Sequence, residues 1–144
     1  MTTYYFSYGS YMSPEKMKAS IPSARLIGTG RLNGYRLVFT AYSELRSRVG
    51  ADILPADGET VWGIVYEIPQ ESLAEMDRNK AYPVLYDRLE VDTQVDGKPV
   101  RAWTYALVDK TDSNHPPDAA YLKLLADLTR VHGFPESYLE SFRH

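Results

Sequence analysis

The 144-residue sequence contains no cysteine, which excludes disulfide frameworks, thiolate nucleophiles and cysteine-bearing zinc sites. Histidine is scarce: His115, His132 and His144 lie far apart, without metal-ligand spacing, so no metal site is expected. No stretch approaches the ~20 apolar residues of a membrane-spanning helix. The opening MTTYYFSYGS has neither the basic nor the apolar region of a secretory signal, and a soluble, cytoplasmic protein is expected. Positive charge is also short. The net charge is -3, with 16 basic against 19 acidic residues, and the basic ones are dispersed. That pattern gives no reason to expect nucleic acid or an anionic membrane as a partner. Arg46 and Arg48, the tightest basic pair, read as one solvated strand face.

What is present is ordinary globular composition, 44% apolar and 24% charged, with no repeat, linker or low-complexity run. The length suits one domain over residues 1–144. Thr3 to Tyr8 reads as a buried aromatic strand. Ser13, Pro14 and Glu15 then supply an N-cap, a first helical residue and a favourable dipole charge for a short helix to about Ala19. Residues 24–41 are strand material; the glycine-rich GTGRLNG at 28–34 reads as a turn, because no helix follows it to make a dinucleotide site. Asp57-Gly58 reads as a hairpin turn before the apolar strand VWGIVYEI at 61–68. The pattern predicts a helix from Pro69 to about Asn79, with Leu73, Met76, Asp77 and Lys80 on one face. Alternation from Leu85 to Val95, an Asp96-Gly97 turn and a partner strand Val100 to Leu107 make an antiparallel hairpin. After a loop at 111–117, a helix from about Asp118 to Val131 carries the stripe Tyr121, Leu124, Leu125 and Leu128 and closes at Gly133. A last short helix begins near Pro135. The irregular interleaving predicts an α+β domain with a mainly antiparallel sheet.

Few segments offer chemistry. No Gly-x-Ser-x-Gly elbow marks a hydrolase nucleophile, and His132 reads as a helix-end residue. The exception is YFSYGSYM at 5–12. A strand that breaks at Gly9-Ser10 just before a helix leaves consecutive N–H groups to converge on an anion or oxyanion. A turn needing Gly9 only for backbone freedom is the competing reading.

YFSYGSYM resembles the Tyr-Gly-Ser-Asn signature of the γ-glutamylcyclotransferase superfamily, which includes the AIG2-like proteins. VWGIVYEI is similar to that family's Trp-Gly-Val-Val-Tyr strand. MDRNKAYPVLYDR, 76–88, is similar to its Leu-Asp-x-x-Glu-Gly-Tyr-x-x-x-Tyr-x-Arg pattern, keeping Tyr82, Tyr86 and Arg88. WTY at 103–105, PPDAAYLKLL at 116–125 and GFPESYLESF at 133–142 also resemble family segments. The resemblance implies a small, mainly antiparallel β-barrel flanked by short helices. It also implies a pocket built from Tyr5, Phe6, Ser7, Tyr8, Gly9, Ser10 and Tyr11, with Tyr86 and Tyr121 reaching the ligand. That ligand would be a small γ-glutamyl or amino-acid-like compound. The family reaction, in which the substrate's α-amine attacks its own γ-carbonyl to give 5-oxoproline, uses a glutamate to shuttle the proton and needs no cofactor.

Two positions depart from the pattern. Tyr11 stands where the family has Asn, and Lys80 stands where it has the catalytic Glu. A lysine begins protonated and takes up a proton only if desolvation or nearby positive charge lowers its pKa. Asp77, one turn earlier, is expected to pair with Lys80 instead and hold it as an ammonium. Three readings stay open: a diverged enzyme, a non-catalytic metabolite-binding module, and a structural or partner-binding protein with the pocket blocked by Tyr11. Monomer and homodimer are equally open.

Overall fold

In the computed structural model, which describes residues 1–42, 48–110, 113 and 117–140, five strands carry the alternation expected of them. They are β1 (Thr2–Ser7), β2 (Arg25–Tyr42), β3 (Arg48–Pro69), β4 (Tyr86–Val95) and β5 (Lys98–Leu107). They close into a barrel in the order β1-β3-β2-β4-β5. Every pairing is antiparallel except β1 against β5, which closes the barrel in parallel at Tyr5 and Trp103. Closure leaves no free sheet edge there. The interior is filled by Phe6, Leu32, Val61, Val65, Val91, Val95 and Ala102, all buried.

Among the described residues, four helices flank the barrel: α1 (Pro14–Ser20), α2 (Leu73–Asn79), α3 (Ala119–Val131) and α4 (Glu136–Glu140), with 3-10 turns at Ser10–Met12 and Gln70–Ser72. The Ser13 hydroxyl caps α1 by accepting from Lys16 N, and Asp118 caps α3 by accepting from Tyr121 N. Both use the acceptor side chain that orphan helix N–H groups require. The expected helix from Pro69 is a 3-10 turn leading into the shorter α2. Along α3, Leu125 and Leu128 are buried while Leu124 faces solvent, so the apolar stripe is narrower than its spacing implied.

Two expected turns are corrected. GTGRLNG lies inside β2, and Asp57-Gly58 lies inside β3, within one long antiparallel ribbon. The ladder slips between Asn33 and Tyr35, where pairing jumps from Thr60 to Pro55. Gly34 and Gly58, with φ of +87° and +80°, provide the left-handed conformations of that irregularity. Locally this chemistry is that of a turn, but here it bends a ribbon without reversing it. The Asp96-Gly97 turn is as expected: both residues have positive φ and join Val95 to Lys98, the two-residue hairpin geometry.

Three contacts fix the site's walls. Asp52, fully buried on β3, accepts from Thr40 Oγ1 (2.9 Å), Leu107 N (3.0 Å) and Lys110 Nζ (2.8 Å). His132, at the end of α3, meets the Met12 carbonyl through Nε2 at 2.7 Å, docking that helix on the first 3-10 turn. Tyr66 on β3 donates to the Tyr11 carbonyl at 2.8 Å. The loop after β1 is therefore held from two sides. Of the residues singled out from sequence, Arg46, His115, His144 and most of the 111–117 loop lie outside the described residues.

Candidate functional site

A cavity of about 720 Å³ opens where β1 ends. Its walls come from the 5–11 segment, β3 at Val49–Ala51, the end of α2, β4 and β5 at Tyr86, Thr104 and Tyr105, and the start of α3. Tyr5, Ser7, Tyr8, Gly9, Ser10, Tyr11, Lys80, Tyr86 and Tyr121 all line it. Phe6 does not. Strand alternation turns its ring away from the cavity and into the barrel, where it is fully buried against Gly30 and Gly63.

The strand-to-turn break gives the loop its chemistry. Met12 N donates to Gly9 O and Ser13 N to Ser10 O, which closes the 3-10 turn. The amides of Gly9, Ser10 and Tyr11 precede that ladder and, among the described residues, donate to no protein acceptor. Opposite them, the Tyr121 hydroxyl accepts from Ala51 N at 3.2 Å. A β-carbon built on Gly9 would lie 3.6 Å from that hydroxyl. Loop, strand and helix thus meet around one space.

Three of the cavity phenols, Tyr5, Tyr8 and Tyr105, stay neutral at ordinary pH. Burial raises Tyr5, Tyr8 and Tyr105 far above the usual phenol range. Tyr8 donates to the Tyr105 carbonyl, and Tyr105 donates to Asp77 Oδ1 at 2.7 Å. They are hydrogen-bond donors and walls, not bases.

Lys80 is half-buried at the C-terminal end of α2. Its ammonium sits 4.9 Å from the centre of the Tyr86 ring and 5.2 Å from that of Tyr11. Desolvation, helped by the nearby Lys16 ammonium, lowers its pKa to about 8. The expected pairing with Asp77 is not made. Asp77 accepts instead from Arg88 Nη1 at 2.6 Å and from Tyr105, because Arg88 on β4 projects onto the same helix face, braced by the Tyr82 and Trp103 rings. The two departures from the family pattern, Tyr11 and Lys80, therefore touch each other. The Tyr11 ring lines the cavity without filling it.

Sequence reasoning missed Lys16, Asn79, Asp118, Thr104, Tyr105 and the β3 stretch Val49–Ala51 as lining residues. Thr104 and Tyr105 carried a signal in the WTY segment; the β3 stretch had none, since only barrel closure brings it here. Lys16 Nζ donates to Ser10 Oγ at 2.6 Å and lies 4.9 Å from the Tyr11 ring centre. Among the described residues no cluster of side chains could hold a metal ion, and no helix is long and apolar enough to cross a membrane.

A family model described as gamma-glutamyl cyclotransferase, AIG2-like, matches residues 5–123. The gamma-glutamylcyclotransferase of Mus musculus is 25% identical over 151 residues, covering 99% of this chain and 78% of the mouse protein. The Homo sapiens protein of the same name is 26% identical over 148 residues, covering 96% and 76%. A solved structure of a gamma-glutamyl cyclotransferase superposes with a TM-score of 0.87 at 25% identity, covering 99% of this chain and 87% of that one. With signature segments in order, a matching barrel and a cavity at the Tyr-Gly-Ser loop, the chain belongs to the AIG2-like gamma-glutamyl cyclotransferase family.

Proposed function

We propose that this cavity binds a small γ-glutamyl or amino-acid-like compound, with 5-oxoproline formation slow at neutral pH. The observation that carries the reading is that loop amides with no protein acceptor among the described residues line one cavity with the Lys80 ammonium, at the position where the family pattern has a carboxylate. The amides of Gly9, Ser10 and Tyr11 would receive a carboxylate or the developing oxyanion of a γ-carbonyl. Cyclisation also needs a group to take a proton from the substrate's α-ammonium and return it to the leaving amine. With a pKa of about 8, Lys80 is about nine-tenths ammonium at pH 7, and two ring faces favour that charged form. It attracts an anionic group rather than accepting a proton. Metabolite binding without turnover is favoured by the same observation.

Calorimetric titration with γ-glutamyl amino acids and γ-glutamyl amines tests binding, and Gly9→Ala locates it. The added methyl would meet Tyr121 Oη at 3.6 Å and Ala51 Cβ at 3.7 Å, ordinary contact distances, so folding is expected to be unchanged. The methyl would nevertheless occupy space beside the loop amides, and affinity should fall about tenfold or more. Equal affinity in the variant would move the ligand away from this loop.

The Lys80 charge also sets a pH dependence. Its lowered pKa means that the ammonium is present below about pH 8 and lost above it. Among the described residues, Lys16, Tyr11 and Tyr86 are ionisable side chains around it, and the Lys16 charge lowers its pKa. A bound anion favours the ammonium, so binding at pH 8 to 9 should take up protons. Affinity for an anionic ligand should fall about tenfold between pH 7 and pH 9. Lys80→Met should flatten the profile; a profile that is the same in both proteins would remove Lys80 from the binding site.

A further inference from the structure

Lys16 adds a second cation to the cavity that the family resemblance does not place there. Among the described residues, the charged side chains lining the cavity are Lys16, Lys80 and Asp118. Lys16 reaches in from α1, Lys80 from the end of α2, and both ammonium groups lie against the ring of Tyr11, at 4.9 and 5.2 Å from its centre. Asp118 comes from the start of α3 and is exposed, with Oδ1 accepting from Tyr121 N at 2.7 Å. Two like charges sharing one ring, Lys80 half-buried and Lys16 exposed, repel each other, and an anionic group placed beside them relieves that repulsion.

We infer that Lys16 is a specificity-determining residue, a second anion-binding position that makes the cavity select ligands carrying two anionic groups over ligands carrying one. The inference rests on the γ-glutamyl-type reading above and deepens it. A γ-glutamyl amine has one carboxylate and one α-ammonium. Set against two lysines and one aspartate, it leaves an ammonium unmatched. A γ-glutamyl α-amino acid has a second carboxylate on its other half and matches all three charges. Ser10, whose hydroxyl already receives Lys16 Nζ at 2.6 Å, fixes where the lysine waits, so its head group is partly ordered before the ligand arrives.

The test compares γ-glutamyl-alanine with γ-glutamyl-ethylamine, which differ by that second carboxylate, by calorimetry on the natural chain and on Lys16→Met. Methionine keeps most of the apolar stem and removes the charge; Lys16 lies on an exposed helix face, and Lys16→Gln provides a second neutral variant. The natural chain should prefer γ-glutamyl-alanine by about ten- to a hundredfold, the worth of one charge-assisted contact. Both variants should lose most of that preference, the loss falling mainly on γ-glutamyl-alanine, and raising salt should weaken the dicarboxylate more than the monocarboxylate, which Lys80 also attracts. If both ligands bind equally, or if the preference survives in both variants, the inference fails while the γ-glutamyl reading stands. If neither ligand binds the natural chain, that reading fails and the inference with it.

Discussion

Replacing Lys80 by glutamate is expected to raise 5-oxoproline production from γ-glutamyl substrates about 10² to 10⁴-fold at pH 7, the usual worth of a positioned general base. The expectation depends on no other carboxylate being able to serve. Asp77 is committed to Arg88 and Tyr105, and breaking that pair to free it would leave Arg88 half-buried without its partner. Asp118 caps α3, with its Oδ1 already accepting from Tyr121 N, and is exposed. Asp52 is buried under Thr40, Leu107 and Lys110 and does not line the cavity. Tyr5, Tyr8 and Tyr105 are held neutral by burial. A glutamate at residue 80 would enter between the Tyr11 and Tyr86 rings, with Lys16 nearby to keep it ionised and ready to accept a proton. Release of 5-oxoproline, followed by chromatography with the natural chain and Lys80→Met alongside, reads the effect. If the natural chain matches the glutamate variant, with a rate that climbs through pH 8, Lys80 is itself the base and the proposal of slow turnover is wrong.

How much of this was legible in the sequence differs from residue to residue, for physical reasons. The Ser13 and Asp118 caps, the Asp96-Gly97 hairpin and the alternation of β4 are local signals, and each appears in the structure where the sequence places it. GTGRLNG and Asp57-Gly58 misled because the residue types that suit a turn also suit a bulge. Only the partner strand decides between them, and the long β2–β3 ladder is a non-local fact. The cavity loop was legible because strand, glycine and helix start are adjacent in the chain. Phe6 was included with its neighbours by the family resemblance and removed by strand alternation. The partner of Asp77 was misassigned because one-turn spacing on α2 brings Lys80 near, whereas Arg88 reaches it across the fold with the stronger, planar donor. Lys16 carried no signal at all: helical lysines face solvent as a rule, and its place at the cavity depends on how α1 leaves the loop.

Gly63→Ala is expected to be the most damaging small substitution, lowering the melting temperature by about 10 °C and ligand affinity with it. A β-carbon at Gly63 would stand 2.4 Å from the Ser7 carbonyl oxygen and 2.7 Å from two carbons of the Phe6 ring. Neither neighbour can swing away. Ser7 O is backbone at the end of β1, and Phe6 is fully buried and packed also against Gly30. Over-packing a core by even one carbon costs about 1–3 kcal/mol where side chains can adjust, and here a strand must shift, so the upper end applies. For a chain of this size about 3 kcal/mol corresponds to roughly 10 °C. The functional loss follows from the same geometry. Ser7 pairs with Ile64 as the last rung of β1, and the amides of residues 9 to 11 hang from it, so pushing Ser7 outward displaces the loop that the ligand needs. Gly9→Ala, whose methyl has room, separates the two effects, since it should reduce affinity with no thermal cost. Calorimetric melting of both variants beside ligand titration is decisive. A Gly63→Ala protein that melts like the natural chain would mean that β1 and β3 do not approach as closely as a side-chain-free residue permits, and the loop's position would then need another cause.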